Sequence, residues 1–315
     1  MNAGRSCPLS YRYSPAALKA APALDTDTLY VVGGLYGNEP ALTEVLRMFD
    51  AEPGRKHLVF NGDFNWFDID PESFRRINQT VLSFDAIRGN VETELTTEGA
   101  DLDAVGCGCG YPEWVADDVV SHSNRIMGQL ASTASRFPQL QQRLAALPMW
   151  RRIDVGGIAL GIVHGDAESL AGWGFAQEHL ADAGHRAVVQ QWFEQSGVRV
   201  FACTHTCLPV IDALMNARGQ RCLVVNNGAA GMPNFADRPQ GLLTRISTTP
   251  TARGASWYGT RLDGVHVDAL PIAYDTAHWH DLFLAQWPDG SAAHQSYWRR
   301  INQGPAYRVS QARRF

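Results

Sequence analysis

The stretch TLYVVGGLYGNEPALTEVLRMFDAEPGRKHLVFNGD, residues 28–63, decides the reading of the fold. Thr28–Val32 is β-branched, aromatic and aliphatic and ends in Gly33-Gly34, as a buried strand running into a tight turn does. From Glu39 to Phe49 the apolar residues Ala41, Leu42, Val45, Leu46 and Phe49 recur at helical spacing, and Pro40 suits a first helical turn. His57–Phe60 is a second strand, closed by Asn61-Gly62-Asp63. Strand, helix and strand joined by short connections make a βαβ unit.

The same alternation runs outward from this unit. Phe84–Asn90 reads as a third strand ending in a turn. Residues 95–112, rich in Gly, Thr and Asp, read as a loop that contains Cys107 and Cys109. Residues 113–145 are helical with a break near Pro138. Arg151–Val155 and Ile158–Val163 form a hairpin across Gly156-Gly157. Helices are expected over 176–195, and strands at Val198–Ala202, Cys222–Asn226, Leu242–Ser247, Ala255–Arg261 and Gly264–Ile272. There is no internal repeat, low-complexity segment or clear linker. The chain is therefore expected to be a single layered α/β domain over 1–315. It has an irregular start over 1–27, with one strand near Leu9–Tyr13, and an irregular strand and tail extension from about 276.

Bulk properties set the function classes aside. Of 315 residues, 45% are hydrophobic and 19% charged, an ordinary globular balance. A net charge of −5 and a pI near 6.0 disfavour a nucleic-acid-coating protein, which needs a clustered positive field. The one basic concentration, Arg299, Arg300, Arg308, Arg313 and Arg314, is expected to be a solvated tail. No apolar run is long enough to cross a bilayer and the N-terminus has no secretory pattern, so a cytoplasmic protein with no membrane partner is expected. The six cysteines (Cys7, Cys107, Cys109, Cys203, Cys207 and Cys222) are expected to be free thiols, with metal ligation the alternative for those near other ligand types.

Polar residues recur just past strand ends, at Gly34–Asn38, Gly62-Asp63, Gly89-Asn90, His164-Gly165-Asp166 and Cys203-Thr204-His205. That edge of an α/β sheet is where ligands bind. Singly, each pair is an ordinary turn. Their order resembles the calcineurin-like metallophosphoesterase superfamily, whose motifs run D-x-H-G-N, G-D, G-N-H-D/E, H-G and G-H-T-H. Here they read Gly34-Leu-Tyr36-Gly37-Asn38, Gly62-Asp63, Gly89-Asn90-Val91-Glu92, His164-Gly165 and Ala202-Cys203-Thr204-His205. Asn226-Asn227-Gly228-Ala229-Ala230-Gly231-Met232-Pro233 resembles a further segment of the bacterial phosphodiesterase-like branch. The resemblance spans about residues 28–275 and implies a two-sheet α/β sandwich with a metal centre at one edge.

The departures bear on the metal count. Gly34 stands where the family has its first Asp, Tyr36 where it has its first His, Cys203 where it has the first His of the last motif, and Val91 where it has a proton-donating His. Of the four ligands the resemblance implies for one position, Asp63 and His205 remain. For the other, Asp63, Asn90 and His164 remain, with Cys203 as a thiolate fourth. One transition metal (Zn, Mn or Fe, divalent or trivalent) at this second position is the preferred expectation; a rebuilt pair of ions and a metal-free site are the alternatives. Cys107 and Cys109 are possible replacement ligands, and Cys207, Asp166 and the pair His278 and His280 are read as structural first. Glu92 is the candidate catalytic carboxylate, orienting a ligand or a water. Asn38 is a candidate substrate-binding residue, and so is Trp173, which with Phe175 offers a ring for a base to stack on. The implied function is hydrolysis of a small phosphodiester or nucleotide-type substrate by metal-activated water, or, alternatively, ligand sensing on a catalytically reduced site.

Overall fold

The structure is a computed structural model that describes residues 3–5, 8–96 and 105–315. Cys7 and part of the loop expected over 95–112 lie outside the described residues. Two mixed sheets pack face to face. In chain order the strands are β1 (Ala23–Thr26), β2 (Thr28–Val32), β3 (Lys56–Asn61), β4 (Asp85–Ile87), β5 (Trp150–Val155), β6 (Ile158–Val163), β7 (Val200–Cys203), β8 (Val210–Met215), β9 (Arg221–Asn226), β10 (Gly241–Ser247), β11 (Tyr258–Leu262), β12 (Val265–Ile272) and β13 (Arg313–Arg314). One sheet has the order β11-β12-β10-β2-β3-β4, the other β1-β5-β6-β7-β9-β8-β13.

Alternation along the strands sorts side chains into layers. Leu29, Val31, Val59 and Ile87 from the first sheet meet Leu160, Ile162, Val200 and Ala202 from the second in an all-apolar interior. Their neighbours Tyr30, Val32, Leu58 and Phe60 face the helices Glu39–Ala51, Pro71–Val81 and Asp117–Ala134. Phe201 and Cys203 face the other way, toward the helix Ala183–Ser196. The result is a two-sheet α/β sandwich with helices outside, as expected.

Local chemistry explains the helix starts. Asn38 accepts from the Ala41 N–H and Asp70 from the Ser73 N–H, each followed by helical Glu39-Pro40 or Pro71. The helix Pro71–Val81, absent from the sequence reading, buries Phe74, Ile77 and Val81 on one face. Leu9–Tyr11 is a 3-10 turn, not a strand, and the start of the chain also contains the helix Ala16–Ala20 and β1, which pairs with β5. The expected irregular tail is corrected: Thr276–Gln286 and Ala292–Gln303 are helices, and β13 extends the second sheet. Both helices are N-capped, by Asp275 and Ser291, and bury Trp279, Phe283 and Ile301. His278 and His280 therefore lie on a helix, two positions apart and off a common face.

A buried ion pair clamps the first sheet to its helices. Arg245 of β10 donates to both oxygens of Glu52 at 2.9 and 2.7 Å, and Tyr30 Oη adds a bond of 2.8 Å. The two side chains are 4% and 9% exposed. Burial pushes the Glu52 carboxyl up, and the bonds from Arg245 and Tyr30 more than offset this, leaving it below the usual carboxylate range. Removing one partner strands the other charge. Glu52→Ala is expected to lower unfolding stability by about 3 kcal/mol in urea denaturation. In the native chain the contribution of Glu52 is full above its unfolded value of about 4.3 and is lost as pH falls through the depressed folded value.

Candidate metal centre

Strand ends from both sheets deliver the site. Asp63 follows β3, Asn90 follows β4, His164 follows β6 and His205 follows β7. All four are buried, with His164 fully enclosed. Asp63, His164 and His205 each offer a ligand atom within 4.8 Å of the others. Three donor atoms surround His164 Nε2: Asn90 Oδ1 at 3.2 Å, His205 Nδ1 at 3.2 Å and Asp63 Oδ2 at 3.3 Å. Atoms bound to one tetrahedral ion at about 2.0–2.1 Å lie about 3.3 Å apart, so these separations suit a single cation.

Outer hydrogen bonds aim each donor inward. His164 Nδ1 lies 2.9 Å from the Asn61 carbonyl oxygen and His205 Nε2 lies 3.0 Å from that of Cys109. Each imidazole thus gives its N–H to a carbonyl and turns its other nitrogen to the centre. Asn90 Nδ2 donates to the Cys107 carbonyl at 2.9 Å, which points Oδ1 the same way. Asp63 Oδ1 accepts from the Val91 N–H, leaving Oδ2 for the centre. Four ligand atoms converge on one point, and a cation there would displace the proton that Asp63 favours on His164. Burial depresses His164, yet Asp63 holds it above the usual imidazole range. Burial and the neighbouring His164 push His205 down to about 4, so it stays neutral and available as a ligand.

Several expected roles are corrected. Cys203 is not brought to this group: strand alternation turns its thiol into the apolar cluster with Val163, Phe175 and Phe201. Burial pushes that thiol far up, the opposite of what a thiolate ligand needs. Glu92 is fully buried and orients the ligand Asp63 through its backbone. Its oxygens accept the backbone N–H groups of Asp63, Phe64, Asn65 and Gly89 at 2.8–3.2 Å, and burial with Asp63 nearby pushes it up to about 7. Asn38 is not at the substrate face; it is fully buried, capping its helix and donating to the Gly231 carbonyl. Asp166 accepts the N–H groups of Glu168, Ser169 and Gly174 and so shapes the loop that carries Trp173. Cys107 and Cys109 are joined as a disulfide, so their carbonyls serve the site and their thiols do not.

Trp173 does reach the centre. Its indole N–H donates to the Cys109 carbonyl and its ring stands edge-on to His205 at 5.7 Å. It lines a cavity of about 180 Å³ together with Asp63, Asn90, His205, Trp66, Tyr111 and Tyr297, and Tyr36, Cys207 and Arg300 complete the wall. Tyr111 and Tyr297 have no signal of their own in the sequence, and Cys207 and Arg300 read there as structural and as part of a solvated tail. Arg300 is reached only because the C-terminal helix folds back over the site.

Gly34 and Tyr36 are one packing solution. A Cβ on Gly34 would lie 2.8–3.0 Å from the Tyr36 ring and hydroxyl, so the phenol occupies the space a side chain at 34 would take. Tyr36 Oη is 2.6 Å from Cys207 Sγ. Tyr36, Asp63 and Cys207 all have positive φ, +54°, +53° and +59°. Non-glycine residues held there cluster at functional sites and depend on their surroundings. Glu92 supplies that support for Asp63. Glu92→Gln places an amide N–H₂ against backbone donors, and is expected to cost about 2–3 kcal/mol in denaturant titration and to weaken metal affinity in competition with a chelator.

No family model matches the sequence, and no curated protein matches it. Solved structures do. A hypothetical protein from Pyrococcus horikoshii OT3 is 15% identical with a TM-score of 0.57, the alignment covering 90% of this chain and 100% of that one. A metallophosphoesterase from Sphaerobacter thermophilus is 15% identical with a TM-score of 0.55, covering 88% and 100%. Likeness at this identity speaks for the fold, and the fold of this chain is that of a metallophosphoesterase.

Proposed function

We propose that this chain is a metal-dependent phosphoesterase that acts on a small phosphodiester or nucleotide-type substrate, at one cation held by Asp63, Asn90, His164 and His205. The observation that carries the reading is the convergence of four ligand atoms, each residue aimed by a second hydrogen bond to the backbone. The two-nitrogen, two-oxygen donor set suits Zn, Mn or Fe. Such an ion supplies Lewis acidity to a phosphoryl oxygen and lowers the pKa of water.

The chain's own residues narrow the substrate. Val91 lines the cavity beside Asn90 and has no proton to give, so the leaving group must depart with little protonation. Aryl or phosphoanhydride-like leaving groups meet that condition better than simple alkyl ones. The aromatic wall of Trp66, Tyr111, Trp173 and Tyr297 suits a planar substituent. The volume of about 180 Å³ lies below the range of roughly 300–1,000 Å³ usual for ligand sites, which favours a small substrate or one end of a longer one.

Metal analysis of the purified chain tests the centre. One ion per chain is expected, retained in Cys203→Ser and lost in His164→Ala; two ions, or loss with Cys203→Ser, would sink the reading. Hydrolysis of bis(4-nitrophenyl) phosphate by the metal-loaded chain is the activity expected. Metal binding without turnover of aryl, cyclic or nucleotide diesters would point to ligand sensing instead. The double substitution Gly34→Asp with Tyr36→His removes the phenol and adds two ligand types, and should raise the metal content from one ion toward two by elemental analysis.

A further inference from the structure

The helix Ala292–Gln303 places Tyr297 and Arg300 three residues apart on one face, and both line the cavity that contains Asp63 and His205. Neighbouring Arg299 is exposed, so the two arginines of this pair have different surroundings. Arg300 commits one N–H, from Nη2, to the Cys207 carbonyl at 2.8 Å. Its Nε is buried without a hydrogen-bond partner, and no carboxylate lies within ion-pair distance of it among the described residues. A half-buried guanidinium without a counter-ion is costly unless an anion completes it.

The charge balance of the cavity points the same way. Burial holds the Tyr36 and Tyr297 phenols above their usual range, so these lining groups are neutral near pH 7. The charged lining side chains are then Asp63 and Arg300, which cancel, and a divalent cation on the four ligands leaves a net charge of about +2 in a site of low dielectric. Such a site would attract an anionic substrate, and Arg300 is the lining side chain with a positive charge of its own to offer it.

We infer that Arg300 is a substrate-binding residue that takes a non-bridging oxygen of the phosphoryl group, while the tyrosine one helical turn before it flanks the planar substituent. This rests on the phosphoesterase reading above and adds the anion contact. A purely structural role, bracing the left-handed Cys207 backbone, predicts loss of stability and of metal; an anion contact predicts weaker binding of phosphate with both preserved.

The test compares Arg300→Met and Arg300→Lys with the native chain, each loaded with the same metal. Arg300→Met should keep the melting temperature and one ion per chain. It should raise KM for bis(4-nitrophenyl) phosphate and the inhibition constant of inorganic phosphate by about 10- to 100-fold, the worth of a charge-assisted hydrogen bond. Arg300→Lys should recover part of both. Unchanged KM and phosphate inhibition, or a loss of metal that explains the defect, overturns the assignment. If the native chain hydrolyses nothing, the phosphoesterase reading fails by itself, and calorimetric binding of inorganic phosphate to the metal-loaded proteins still decides. Equal affinity in native and Arg300→Met chains rejects the anion contact; a tenfold or greater loss supports it.

Discussion

The carboxylate of Glu92 is the constraint on which the centre depends. It gathers backbone N–H groups from the loop after β3, at Asp63, Phe64 and Asn65, and from the loop before its own short helix, at Gly89. Two adjacent parallel strands are thereby tied at the ends where ligands emerge. The tie holds Asp63 at a positive φ that a non-glycine residue adopts only under restraint. With Asp63 so held, its one free oxygen meets His164 of the other sheet. The buried carboxylate is tolerated because amides supply what water would.

Around that fixed point Gly34, Tyr36, Cys207 and Arg300 form one arrangement. Glycine at 34 leaves room for the Tyr36 ring, the Tyr36 hydroxyl meets the Cys207 thiol, and Arg300 holds the Cys207 carbonyl. The Tyr36 ring thus fills the space over Gly34 and is fixed there by Cys207. The second half of the centre is supported differently, by carbonyls of Asn61, Cys107 and Cys109 that orient His164, Asn90 and His205. A segment that follows β4 and its short helix thus sets the direction of two ligand atoms.

Much of the frame was legible because it is local. The run from Thr28 to Asp63 carries its own strand, cap, helix and return, and the polar residues after each strand mark one edge of a sheet. The helix Pro71–Val81 had a legible signal too, in the Asp70 cap with Pro71 and the spacing of Phe74, Ile77 and Val81, and was passed over. Cys203 was misassigned because the motif order places it at the edge, whereas the period of two along β7 turns it to the helix face. Asn38 reads as a group facing a substrate because a sequence shows which residues are polar and not which backbone groups surround them.

By itself, then, the sequence determined the layered α/β class and the edge at which Asp63, Asn90, His164 and His205 emerge. Only the tertiary structure decided that four ligand atoms meet, that a phenol fills the space over Gly34, and that Arg300 enters the cavity from a helix expected to be a solvated tail. The physical reason is one of range. Hydrogen-bonding period and capping act over a few residues and are written in short stretches. Convergence of side chains from positions 63 and 300 depends on sheet order and on how the last helices pack, which no local pattern specifies.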